Sequence, residues 1–191
     1  MKKTLVILAC LLALATGATA QQQLNFSSLP LVNSPSPMPN GYGSLSWSNF
    51  FYVDPYDWSG AGPGYRLGAG GQDVAFVGGL FCRLNGSCFG TLTNSSGFEL
   101  VSAQVAGGYG PAAVTATAYN NGSYVGSMNF FVGTSMQTVT FPSSWGIVTE
   151  VQLQVTGQTD DLVVYDVSLY EIVQDPPPHG NPVQDPPPPR N

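Results

Sequence analysis

From about Leu24 to Val173, no stretch of this chain repeats its apolar residues with the period of a helix. Apolar and polar side chains alternate instead in short runs, and clusters of Gly, Pro, Asn, Asp and Ser separate the runs. A strand sends successive side chains to opposite faces, so this pattern predicts an all-β sandwich or barrel. Roughly 150 residues suffice for one sizeable core, which predicts a single domain over residues 21–173.

The individual runs are readable. In Ser44–Val53, the alternation places Leu45, Trp47, Asn49, Phe51 and Val53 on one face. Asp73–Gly78 is a short apolar strand. In Phe98–Val105, Glu99, Val101, Ala103 and Val105 oppose Phe98, Leu100, Ser102 and Gln104. Ala113–Tyr119 should meet Ser123–Val132 across Asn120-Asn121-Gly122, because Asn-Gly accepts the positive φ angles of a tight hairpin turn. Met136–Phe141 follows. In Ile147–Val155, Ile147, Thr149, Val151, Leu153 and Val155 form the expected dry face. The last strand, Leu162–Ile172, is expected to turn Val163, Tyr165, Val167 and Leu169 to the core and Asp166 to the wet side.

The ends of the chain have a different character. Lys2 and Lys3, the apolar residues 4–16 and the small trio Ala18-Thr19-Ala20 read as a signal peptide over residues 1–20. The apolar stretch is too short to span a bilayer, so no stable membrane insertion is expected. Cleavage would remove both lysines and Cys10, leaving three arginines against eleven carboxylates, a net charge of −8. Such a chain lacks the clustered Lys and Arg that nucleic acid requires. Residues 174–191 form a proline-rich tail in which Val173-Gln174-Asp175-Pro176-Pro177-Pro178 recurs as Val183-Gln184-Asp185-Pro186-Pro187-Pro188. It is expected to be disordered or extended, serving as a spacer or as a docking strip.

The functional vocabulary of the chain is narrow. Its single histidine, His179, lies in the tail, and the expected mature chain has no lysine. General acid–base catalysis usually recruits His, and an activated Ser or Cys usually needs His or Lys beside it. No catalytic residue is therefore assigned, and acids such as Asp54, Asp57, Glu99 and Glu150 read as isolated surface carboxylates. Cys82 and Cys88, the only cysteines beyond the leader, are expected to close a disulfide around a tight loop. Zinc would need more Cys and His ligands than Cys82, Cys88 and the tail's His179 supply. Four glycosylation sequons begin at Asn25, Asn85, Asn94 and Asn121.

A resemblance extends over Leu24 to Tyr170. Pro39-Asn40-Gly41-Tyr42-Gly43-Ser44-Leu45-Ser46-Trp47-Ser48-Asn49-Phe50, Gly62-Pro63-Gly64-Tyr65, Val101–Tyr119 with Gly122-Ser123-Tyr124-Val125, and Val164-Tyr165-Asp166-Val167-Ser168-Leu169-Tyr170 carry it. Their order resembles a group of secreted, uncharacterised β-sandwich domains found in fungal secreted proteins and in bacterial exported proteins, some with a PEP-CTERM sorting tail. The resemblance implies a single jelly-roll-like β-sandwich similar to carbohydrate-binding modules. A terminal-strand aspartate in such modules helps hold a structural calcium, which makes Asp166 a candidate metal ligand, with Asn25 and backbone carbonyls beside it. The other reading of Asp166 is a hydrogen-bonded structural residue. The first strand here reads Leu24-Asn25-Phe26-Ser27-Ser28-Leu29, where the group carries acids.

The expected function is that of a secreted, non-catalytic binding module for a polysaccharide or glycoprotein. Sugar rings stack on flat aromatic side chains, so Tyr42, Tyr56, Trp58 and Tyr65 are the expected ligand contacts. Trp47 and Phe51 read as core. The alternative is a structural matrix or envelope protein whose tail makes the contacts.

Overall fold

The computed structural model describes residues 19–70, 72–78, 89–156 and 161–172. Residues 1–18 of the expected leader, the cysteine loop, His179 and the proline-rich tail lie outside them, and the last two leader residues, Thr19 and Ala20, begin the first strand. Eleven strands form an antiparallel system: β1 (Thr19–Leu24), β2 (Ser36–Pro37), β3 (Ser46–Ser48), β4 (Phe51–Val53), β5 (Val74–Gly78), β6 (Phe89–Gly107), β7 (Ala112–Asn120), β8 (Ser123–Val132), β9 (Gln137–Thr140), β10 (Val148–Thr156) and β11 (Asp161–Ile172). The four-residue helix α1 (Pro63–Arg66) and two 3-10 turns complete the described elements. No helix among the described residues is long and apolar enough to cross a membrane.

The strands make two layers that share one long strand. Residues 89–93 of β6 lie between β3 and β10, and β7 and β8 extend that layer to its edge. Residues 98–107 of β6 lie between β11 and β9, with β1, β5, β4 and β2 beyond β11. Between them the strand turns the corner, with Gly97 at a φ of 86°. Leu92, Val114 and Val151 of one layer meet Leu100, Val164 and Val167 of the other in a single buried cluster. This is the jelly-roll-like sandwich expected of the sequence. At its centre is an apolar void of about 10 Å³ bordered by Trp47, Leu92, Phe141 and Val164. That is room for one water at most, and the apolar walls give a water no partners, so the void is packing space.

The hairpin expected at Asn120-Asn121-Gly122 is present. Asn120 pairs with Ser123, and Asn121 and Gly122 have φ angles of 48° and 77°.

Four faces differ from the simple alternation, each for a local reason. Asn49 adopts a φ of 59°, which breaks the run 44–53 into β3 and β4. Phe50 and Tyr52 therefore follow Trp47 into the main core, whereas Phe51 and Val53 face the opposite side. Val101 is an extra residue opposite β11, so Phe98, Leu100, Ala103 and Val105 all point inward. The β6–β10 ladder slips between Val148 and Glu150, which buries Val148 and exposes Ile147. A second bulge lies between Val164 and Asp166: Leu162, Val164, Val167 and Leu169 face the main core, and Val163 and Tyr165 face outward under a loop. One extra residue reverses every side chain beyond it, which a period-two reading has no means of locating.

Candidate functional site

Two surfaces carry the candidate side chains: the loop that covers Val163 and Tyr165, and the outer face of the β3–β8 layer.

The loop runs from Asp54 to Asp73 and closes a second apolar cluster of Val53, Tyr65, Val74, Phe76, Val163 and Tyr165. Its aromatics pack tightly. Trp58 stacks on Phe76 with ring centroids 6.0 Å apart and meets Tyr65 edge-on at 5.2 Å. Polar side chains of the loop and its surroundings fasten it. The Tyr65 hydroxyl donates to Asp161 Oδ2, and the Tyr165 hydroxyl donates to the Gly64 carbonyl. The Tyr109 hydroxyl donates to Gly60 O at 2.8 Å, and the Tyr56 hydroxyl donates to Arg66 O at 3.2 Å. Arg66, the only cationic side chain among the described residues, donates to the carbonyls of Pro55 and Trp58. Burial and the adjoining Asp161 carboxylate hold the Tyr65 phenol far above its ordinary range. Burial pushes Tyr165 up to about 12, although a backbone hydrogen bond from Gly68 opposes the shift. These hydroxyls are neutral donors that fasten the loop.

The four aromatics expected to contact a ligand do not form one surface. Tyr65 is 0% exposed, so its ring is unavailable for stacking on a sugar. Trp58 is half-buried, with one ring face against Phe76. Tyr42 is half-buried elsewhere, stacked on Phe26, and its hydroxyl is 3.2 Å from Ser28 Oγ. Tyr56 alone is well exposed, at 55%.

The other predicted sites are placed as follows. Asp166 accepts a hydrogen bond from Gln23 Nε2 at 3.3 Å; burial raises its pKa and the Gln23 contact opposes this. Asn25 Oδ1 is held by Ser27 Oγ at 2.8 Å. No group of three or more His, Cys, Asp or Glu side chains suited to a metal occurs among the described residues. Of the sequon asparagines, Asn25 and Asn121 are exposed, while Asn94 is half-buried with its Nδ2 on Ser44 O. Cys82, Cys88 and Asn85 lie outside the described residues.

The outer face of the other layer was not singled out from the sequence. Cross-strand register aligns Ser48, Thr91, Gln152, Thr117 and Ser127 in one row over five strands. The next row is Ser46, Thr93, Glu150, Tyr119 and Tyr124, and on the other side Gln154, Thr115 and Asn129 align. The inward partners of these residues, including Ala116, Ala118, Val151 and Leu153, fill the core. What faces outward is therefore a lattice of hydroxyls and amides whose neighbours within a row lie about 4.8 Å apart, strand to strand, with Thr91 itself buried. Thr115 Oγ1 donates to Asn129 Oδ1 at 2.7 Å and Gln152 Nε2 to Glu150 Oε1 at 2.7 Å, which orients the lattice. Tyr119 and Tyr124 meet edge to face at 6.2 Å at one end, and Tyr124 is 63% exposed. A signal for this face exists in the sequence: residues 100–149 contain no Asp, Glu, Lys, Arg or His.

No protein-family model matches this chain, and no curated protein matches it. Among solved structures it is similar to a DUF4465 family protein from Bacteroides caccae, with a TM-score of 0.51 and 11% identity over 86% of this chain and 98% of that one. An F5/8 type C domain of a Bacteroides fragilis protein aligns with a TM-score of 0.38 and 17% identity, over 68% of this chain and 93% of that one. The likeness to the Bacteroides caccae protein is one of fold: the chain is an antiparallel β-sandwich of that general architecture.

Proposed function

We propose that this protein is a secreted, non-catalytic module that binds a neutral polysaccharide or cell-surface glycan along the outer face of the β3–β8 layer. The observation that carries the reading is the five-residue row of hydroxyl and amide side chains from Ser48 to Ser127, beside a second row that ends in Tyr119 and Tyr124. A glycan chain offers repeated hydroxyls and apolar ring faces; the rows match the first and the tyrosines the second. Glu150 is the one charge in these rows, which favours a neutral partner over an ionic one. The loop aromatics Trp58 and Tyr65 act in packing, and Tyr56 is the part of that loop left for a peripheral contact. A signal peptide, a Cys82–Cys88 disulfide and glycans at the exposed Asn25 and Asn121 fit an extracellular life. The tail serves as a spacer.

The test is retention of the purified mature chain on a panel of insoluble polysaccharides. Tyr124→Ala and Gln152→Ala should each release the protein, and Trp58→Ala should remain bound. Release by Trp58→Ala with Tyr124→Ala still bound would transfer the contact to the loop. Failure of the unaltered chain to bind any polymer would replace this reading with that of a structural envelope component.

A further inference from the structure

Asp54 and Asp73 flank the last rung of the β4–β5 ladder. Val53 pairs with Val74, so the two aspartates stand one step beyond that rung, opposite each other. Like charges directly opposite on an antiparallel pair repel. Both residues are also buried, with exposures of 8% and 1%. Asp54 Oδ1 accepts the Tyr56 backbone N–H at 2.8 Å. Neither oxygen of Asp73 has a hydrogen-bond partner. A buried carboxylate without a partner is costly, and a second carboxylate facing it adds to that cost. The neighbouring cation does not relieve it, because the Arg66 guanidinium is committed to the carbonyls of Pro55 and Trp58.

We propose that Asp54 and Asp73 hold a calcium ion that fastens the 54–73 loop to the β4–β5 ladder. The available donors are all hard oxygens, which suit calcium and exclude metals that need thiolate or imidazole. Two carboxylates neutralise the ion's charge, and loop carbonyls and water complete its shell. The site lies at both ends of the loop, so one ion would close the whole segment. It is separate from the Asp166 position implied by the family resemblance, where Gln23 already serves the carboxylate. It is also independent of glycan binding.

The mature chain should be titrated with calcium chloride, without any polysaccharide, by calorimetry and thermal unfolding at neutral pH. Extracellular calcium sites commonly bind at about 0.1–1 mM, and a tenfold excess over Kd should raise Tm by about 4 °C. Asp73→Asn should abolish both the binding heat and the Tm rise. In chelator it should melt above the unaltered protein, because the repulsion is gone. Asp54→Asn should weaken binding at least tenfold, and Asp166→Asn should bind as the unaltered chain does. The proposal is overturned if calcium gives neither heat nor a Tm shift, which would leave a shared proton as the means of relief. It is equally overturned if Asp73→Asn keeps the response or Asp166→Asn loses it.

Discussion

The 54–73 loop and the outer face of the β3–β8 layer treat polar groups in opposite ways. Around the loop, the Tyr65 and Tyr165 hydroxyls and two carboxylates are buried, and the more exposed Tyr56, Tyr109 and Arg66 are spent on backbone carbonyls. On the sheet face, hydroxyls and amides are turned outward at regular intervals and hold little beyond one another. The aromatic-rich segment, the more eye-catching in the sequence, is the one whose rings are already engaged. The plain Ser/Thr/Gln surface is the one left available. Enclosed polar groups are expensive to disturb, and outward ones are cheap to disturb but matter to whatever touches them.

Four measurements separate the enclosed loop from the open sheet face. The largest effect is expected from Gly64→Ala. Its Cβ would overlap the Gly107 carbonyl, so the loop would lift from β6 at a cost of about 3 kcal/mol or more in urea unfolding. Tyr65→Phe comes next. It removes the hydroxyl that serves the buried Asp161 carboxylate and should cost about 2 kcal/mol in the same assay, with polysaccharide retention unchanged.

The third effect is pH-dependent. Burial first and Asp54 second raise Asp73 to about 6, above its unfolded value. The folded state therefore binds this proton more tightly than the unfolded chain does. Its contribution is complete below about pH 4 and is lost as pH rises through about 6. In chelator, the Tm of the unaltered chain relative to Asp73→Asn should fall by a few degrees between pH 4 and 7. A constant difference would separate Asp73 from the loop's electrostatics. The smallest effect on stability belongs to Thr117→Val on the sheet face, which should shift unfolding by less than about 0.5 kcal/mol. The same change should weaken retention on a bound polysaccharide, and unchanged retention would detach this row from binding.

Much of the architecture was legible in the residues. The absence of helical periodicity gave the class, and Asn121-Gly122 located the β7–β8 hairpin because few other pairs adopt two positive φ angles cheaply. The bulges at Val101 and beside Tyr165, and the kink at Asn49, were not legible, since each depends on the partner strand. For the same reason Val163 and Tyr165 read as main core when they lie beneath the loop. The Asp54–Asp73 pairing was hidden by sequence distance: only the β4–β5 register brings the two together. The outer-face rows were hidden differently. Their residues are individually unremarked Ser, Thr and Gln, and only strand order aligns them. The uncharged run from Leu100 to Thr149 was the one hint in plain view.

The strand β6 has a further consequence. Because Phe89–Gly107 supplies ladder partners to both layers, losing it would leave β3 and β9 unpaired and strip β10 and β11 of one neighbour each. The sandwich should therefore melt in one transition, with no state in which one layer outlives the other. Amide protons at both ends of the strand should exchange at the same slow rate, set by global opening. A protease cut at the Asn94–Gly97 corner should release both layers together.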